Sequence, residues 1–167
     1  MRQGQVRPIA LCIFRQDDRV LVAEFHDPSK NQTFYRPLGG AIEFGERGEQ
    51  TVEREIGEEI GARVADLHYL ATFESLFVYN GQQGHEIVLM YEGRLTDPAI
   101  YDVESVTGQD NGDLPLKAVW RRLDSFGPGA PLYPDELLEL LTSGDTTVNH
   151  IYPVGPDWAG RTKEQAA

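Results

Sequence analysis

The sequence predicts a single α/β domain in which a mixed β-sheet lies between helices. Three observations lead there. Strand-length runs of branched and aromatic residues stand on both sides of one amphipathic helix. A second helix follows late in the chain. One central run is apolar on both faces, so it needs cover on both sides. A length of 167 residues fits one domain with a sizeable core, and no internal repeat or linker divides it. The domain is expected over 1–167, with its core at about 6–143 and a loose C-terminal tail.

Taken in order, "VRPIALCIFRQDDRVLVAEF" (6–25) is two apolar runs around the polar Gln16-Asp17-Asp18, the pattern of a hairpin. Residues 26–32 read as a loop. "TFYRPLGG" (33–40) is a short extended piece ending in glycines, and Pro37 biases Arg36 away from helical backbone. A helix is expected over about 47–60. Residues 63–79 make one or two strands, 80–84 a turn, and 85–95 the doubly apolar strand. In that strand Val88 and Met90 share one face, and Ile87, Leu89 and Tyr91 the other. Residues 96–115 read as a long polar loop, and loops of that length in compact domains are often functional. A strand over 116–126 and a helix within "PDELLELLTSG" complete the set; Asp135 stands near that helix's start and Gly144 past its end.

The net charge of −12 and the lack of a basic cluster argue against a nucleic-acid polymer as partner. A small polyphosphate stays compatible where metal ions bridge it to an acidic protein. No apolar run approaches the roughly 20 residues of a membrane span, and no signal-peptide cleavage pattern is present. The single cysteine, Cys12, has no partner for an internal disulfide, which fits a reducing cytoplasm. Its place in an apolar strand suggests a buried, inert thiol.

The most informative stretch is "GGAIEFGERGEQTVEREIGEEIGA" (39–62), with seven glutamates and six glycines. On a helix advancing about 100° per residue, Glu55, Glu58 and Glu59 fall within about 100° of one another. Val52, Ile56 and Ile60 form an apolar stripe beside them. Arg54 stands four residues before Glu58 and can pair with it across one turn. A solvated charged face is the ordinary explanation of such a run. Two details oppose it: like charges at these spacings repel, and the acidic face borders the packing stripe instead of lying opposite. Clustered hard oxygen ligands on one rigid face suit Mg²⁺ or Mn²⁺. Gly57 costs up to about 1 kcal/mol inside a helix, which points to close packing or a nearby ligand.

At these residues the sequence resembles the Nudix hydrolase family. Its pattern is met by Gly40, then Glu46, then Arg54-Glu55-Ile56-Gly57-Glu58-Glu59-Ile60-Gly61-Ala62, with Ala62 where a larger aliphatic residue is usual. The resemblance implies the family's α/β/α sandwich. It also implies water attack on the phosphorus of a nucleoside diphosphate linked to a further group X, with Mg²⁺ or Mn²⁺ as cofactor. Glu55, Glu58 and Glu59 would bind the metal, with the carbonyl of Gly39 as an added ligand and Gly40 at the substrate turn. Glu46 and Arg54 would hold the loop and orient the carboxylates. For a further ligand or general base the first choice is Glu86, which opens the doubly apolar strand on the face of Val88 and Met90, where a charge needs a partner. An ordinary rim residue paired with His85 or a lysine is an equal reading. Glu104, Asp110 and Asp113 are the rivals. Arg36 would fork onto phosphates, Lys30 reads as plain surface, and Tyr35 and Phe44, nearest the glycine turn, lead Phe34, Phe77 and Tyr79 for base stacking.

The upstream motif of the coenzyme A type, the Ser-Gln-Pro-Trp-type array of the NADH type and the downstream proline of the ADP-ribose type are all missing. Cys12 is poorly placed for isopentenyl diphosphate isomerase chemistry. A small nucleotide-processing enzyme remains, acting on nucleoside di- or triphosphates or nucleotide derivatives. Its alternatives are a nucleotide-binding regulatory module without hydrolysis and an acidic interaction domain. The resemblance also implies a homodimer as one assembly, while the sequence leaves oligomeric state open.

Overall fold

The computed structural model describes residues 4–110, 114–143 and the backbone of 150–151. Among them eight strands form one mixed sheet: β1 (Val6–Gln16), β2 (Arg19–Asp27), β3 (Gln32–Ala41), β4 (Val64–Tyr79), β5 (Gln82–Leu95), β6 (Ser105–Asp110), β7 (Leu114–Arg122) and β8 (His150–Ile151). The order across the sheet is β6-β7-β2-β3-β1-β5-β4-β8, parallel at β1–β5 and β4–β8 and antiparallel elsewhere. Helices α1 (Gly48–Ile60) and α2 (Leu137–Ser143) complete it. No helix among the described residues is long and apolar enough to cross a membrane.

Strand β1 is the centre of the sandwich because its apolar residues alternate without interruption. Ala10, Cys12 and Phe14 pack under α1 with Val52 and Ile56, whereas Ile9, Leu11 and Ile13 face α2 with Leu137 and Leu141. All six β1 residues are at most 1% exposed. Burial pushes the Cys12 thiol far above its ordinary range, so it stays protonated and inert. β5 is likewise internal, between β1 and β4.

The two-residue turn Asp17-Asp18 joins β1 to β2, with Asp17 at φ +53. β3 changes partner along its length: its first half pairs with β2 and its second half with β1. Residues 63–79 form one strand, with register shifts between Ala65 and His68 and between Tyr69 and Ala71.

Of the long polar loop expected over 96–115, the described residues are largely regular. It holds a 3₁₀ turn at Pro98–Asp102 and the strand β6, paired with β7 from Ser105 opposite Val119 to Asp110 opposite Leu114. β6 is an edge strand whose inward positions are Val106, Gly108 and Asp110, so it carries almost no apolar signal. The second helix is shorter than 134–144: Tyr133–Pro134 is a cis peptide, and regular helix begins at Leu137. Gly144 lies outside the described residues.

Candidate active site

Helix α1 presents its three carboxylates to two environments. Glu55 and Glu59 are 8% and 4% exposed, whereas the Glu58 side chain is 63% exposed. Gly48, Thr51, Val52 and Ile56 are buried with the first two, so the packing face is centred near Glu59, about 100° round the helix from Glu58. The glycine turn meets the buried pair. Gly39 donates its N–H to Glu59 Oε2 at 3.0 Å and has φ +126, a backbone that side chains rarely adopt. A Cβ on Gly40 would run into both carboxylate oxygens of Glu55. Gly61 caps the helix at φ +66, its N–H bonded to the Gly57 carbonyl.

Close packing does not account for Gly57. A Cβ there would meet only the Ala62 carbonyl oxygen, at 3.9 Å.

Arg54 ties the site together. Its Nε and Nη2 donate to Glu46 at 2.8 and 3.0 Å, its Nη1 to Glu55 at 2.8 Å and Glu58 at 3.2 Å, and its Nη2 also to the Ala41 carbonyl at 3.0 Å. Glu46 further accepts from the Thr51 hydroxyl at 2.9 Å, a partner with no sequence signal beyond its place in the helix. These bonds, those of Arg54 first, hold the Glu46 carboxyl down at about 2.

The buried pair is displaced the other way. Burial pushes Glu59 up to about 8, against the pull of Arg36 and the Gly39 N–H, while Glu55 and Asp110 push it further up. Glu55 is also raised, first by burial and then by Glu58 and Asp110, against Arg54. Asp110 therefore acts on both buried carboxylates. Strand β6 brings it there by passing hard against the end of α1, where a Cβ on Gly108 would overlap the Glu59 carbonyl.

The other acidic candidates lie elsewhere. Glu86 is 3% exposed and ion-paired with Arg7, its partner across the β1–β5 register. The Glu104 side chain is 91% exposed, 3.7 Å from Arg19. Asp113 lies outside the described residues.

A cleft of about 630 Å³ adjoins the carboxylates through Arg36 and Asp110. Arg7, Glu86, Phe25, Phe34 and Tyr79 also line it. Phe34 stacks on Phe25 at 5.4 Å, and the Arg36 guanidinium lies 5.4 Å over the Phe25 ring. The Arg36 Nε is buried without a hydrogen-bond partner among the described residues. Tyr35, one position along β3, points to the other face: it is 5% exposed, edge-on to Phe126 and bonded to Arg121 at 2.8 Å. Phe44 is fully exposed in the turn before α1. Neither lines the cleft. Lys30, which the sequence leaves on the surface, does line it and donates to the Val78 carbonyl at 2.6 Å.

The donor set fits a hard divalent cation. Two buried carboxylates and Asp110 repel one another with only part of their charge compensated, the circumstance that such a cation relieves. The fit rests on this chemistry and on the space at Gly40, since among the described residues no three Asp, Glu, His or Cys side chains form a finished cage.

The family model described as "NUDIX domain" matches residues 5–140. The NAD-capped RNA hydrolase NudC of Klebsiella pneumoniae is 38% identical over 68 residues, which are 41% of this chain and 26% of that protein. The chain thus matches only about a quarter of the length of such curated relatives. Among solved structures, the MutT NUDIX hydrolase of Burkholderia pseudomallei superposes with a TM-score of 0.53 at 22% identity, covering 83% of this chain and 100% of that one. An ADP-ribose pyrophosphatase of Streptococcus suis gives a TM-score of 0.52 at 15% identity, covering 88% and 98%. At these identities the two structures share the fold.

Proposed function

The chain belongs to the NUDIX domain family, and from that premise we propose that it is a divalent-metal-dependent pyrophosphohydrolase of nucleoside di- or triphosphates or nucleotide derivatives, acting in the cytoplasm. The observation that carries this reading is the buried Glu55–Glu59 pair, acted on by Asp110, which lines a cleft that also presents Arg36. Glu55, Glu59 and the more exposed Glu58 would hold Mg²⁺ or Mn²⁺. When bound, the cation supplies charge neutralisation on the anhydride and a more acidic water.

The remaining work falls to this chain's own groups. Arg36 directs its guanidinium fork to the phosphate oxygens. Asp110 takes the proton of the attacking water, a role for which its nearness to both Glu55 and Glu59 favours it over Glu86, whose charge is engaged by Arg7. Arg54, fixed by Glu46, keeps Glu55 and Glu58 aimed. Water oxygen bonds to phosphorus, the anhydride P–O bond breaks, and the leaving phosphate carries away the electron pair.

The substrate is a matter for a panel. Nucleoside triphosphates, ADP-ribose, NADH and NAD-capped RNA are each incubated with Mg²⁺, with Mn²⁺ and with chelator. NADH and NAD-capped RNA belong there because the NudC relatives act on the latter by name, although this chain lacks the Ser-Gln-Pro-Trp-type array. The same panel is run on Glu58→Gln/Glu59→Gln. If nothing is turned over above that variant's background, the enzyme reading fails.

A further inference from the structure

Asp27 lines the same cleft. It is the last residue of β2 and is 2% exposed. Its carboxylate accepts from the Ser29 N–H at 2.9 Å, the Ser29 hydroxyl at 2.6 Å and the Asn80 N–H at 3.2 Å, and Lys30 Nζ lies 3.6 Å away. These bonds, the Ser29 hydroxyl first, hold the carboxyl below its ordinary range, so it is charged where it sits.

The partners belong to two different turns. Ser29 and Lys30 lie between β2 and β3, Asn80 between β4 and β5, and the two hairpins stand on opposite sides of β1. Lys30 adds a bond to the Val78 carbonyl at 2.6 Å, and the Tyr79 hydroxyl one of 3.5 Å to the His26 carbonyl. Among the described residues no β-ladder joins these hairpins directly, and these side-chain bonds tie their tips across the gap. Each tip carries a ring that lines the cleft: Phe34 on β3 and Tyr79 on β4, edge to face at 5.8 Å.

We propose that Asp27 is a positioning residue that fixes the spacing of the aromatic end of the cleft, and so determines how tightly the ring-bearing part of the substrate is held. The inference rests on the pyrophosphohydrolase reading. Asp27 touches neither the phosphates nor the carboxylates of α1. Its effect is transmitted by the two turns: stacking and dispersion fall away when the gap widens by less than an ångström, and loss of the Asp27 carboxylate removes the acceptor that Ser29 of one tip and Asn80 of the other share. An ordinary surface ion pair would have no such reach.

The test compares two non-hydrolysable ligands with the same phosphorus core. α,β-Methylene-ADP carries a nucleoside and methylenediphosphonate carries none. Both are titrated calorimetrically with Mg²⁺ into wild type, Asp27→Ala and Lys30→Ala. The Lys30 side chain is 44% exposed, which makes its removal the milder change. Thermal melts identify the folded variants. The expected result is about tenfold weaker binding of α,β-methylene-ADP, with methylenediphosphonate unchanged within about twofold. Equal loss for both ligands, or for neither, overturns the proposal. A wild type that binds neither ligand overturns the pyrophosphohydrolase reading and this one with it.

Discussion

Gly108 of β6 lies so close to Glu59 of α1 that a Cβ would overlap the Glu59 carbonyl oxygen. An edge strand with few apolar side chains is thereby held in contact with the helix end that carries the buried carboxylates. Gly108→Ala must move backbone against backbone. It is expected to cost about 1–3 kcal/mol in urea unfolding and to lower turnover as well, because Asp110 moves with the strand. Unchanged stability would show that the strand can retreat freely.

Asp110→Asn and Glu86→Gln separate two acidic roles. The first should lower kcat by about tenfold or more at unchanged fold, the usual range for loss of a positioned base. The second releases Arg7 inside the cleft and should appear mainly in KM. Steady-state kinetics on the best substrate of the panel reads both, and a larger kcat loss in Glu86→Gln would exchange the assignments.

Glu59→Gln should invert its effect with metal. The folded carboxyl is raised from 4.5 to about 8, so its contribution to stability is complete below pH 4.5 and is lost as pH rises through about 8. At about pH 9 in chelator, wild type holds a buried charge that glutamine lacks, and the variant should melt at least as high. With Mg²⁺ the order should reverse, since only wild type retains the full ligand set. Melting curves with and without chelator check both halves.

Glu46 titrates in the opposite direction. Its folded carboxyl is lowered from 4.5 to about 2, chiefly by Arg54. The stability it contributes is complete above pH 4.5 and drains away as pH falls toward 2. The gap between wild type and Glu46→Gln in urea unfolding should therefore narrow across that interval. A gap that stays constant would mean that the carboxylate charge is irrelevant to the brace.

Gly57→Ala should be stabilising. The position is exposed, and an added methyl meets nothing closer than 3.9 Å. The helix then gains about 0.5–1 kcal/mol, measurable in urea unfolding. If the variant is stabilised yet loses activity, the glycine serves the bound state.

The legible parts of this sequence were those with a period or a fixed spacing. Helix α1 begins one residue from its expected start and ends on its expected last residue, and Arg54 meets Glu58 as the four-residue spacing required. The doubly apolar strand is internal because apolar residues on both of its faces call for cover on both sides. What escaped depends on neighbours distant in the chain. β6 resembles a loop because its inward side needs Gly108 and Asp110 instead of apolar residues. Glu58 and Glu59 look equivalent in sequence, and only the packing face of α1 separates them. Tyr35 and Phe34 are adjacent aromatics, and the pleat sends one to the core and the other to the cleft.

The parallel pairing of β1 with β5 has a consequence for synthesis. Arg7 and Glu86 are 79 residues apart, so at about 5–20 residues per second the ribosome makes the second roughly 4–16 seconds after the first. During that interval β1, with six consecutive buried apolar residues, has β2 and β3 to pair with on one side and nothing on the other. A chain terminated before residue 85 keeps that bare edge, and such edges recruit other chains into aggregates. Truncation products of this protein are therefore expected in the insoluble fraction rather than as partly active fragments.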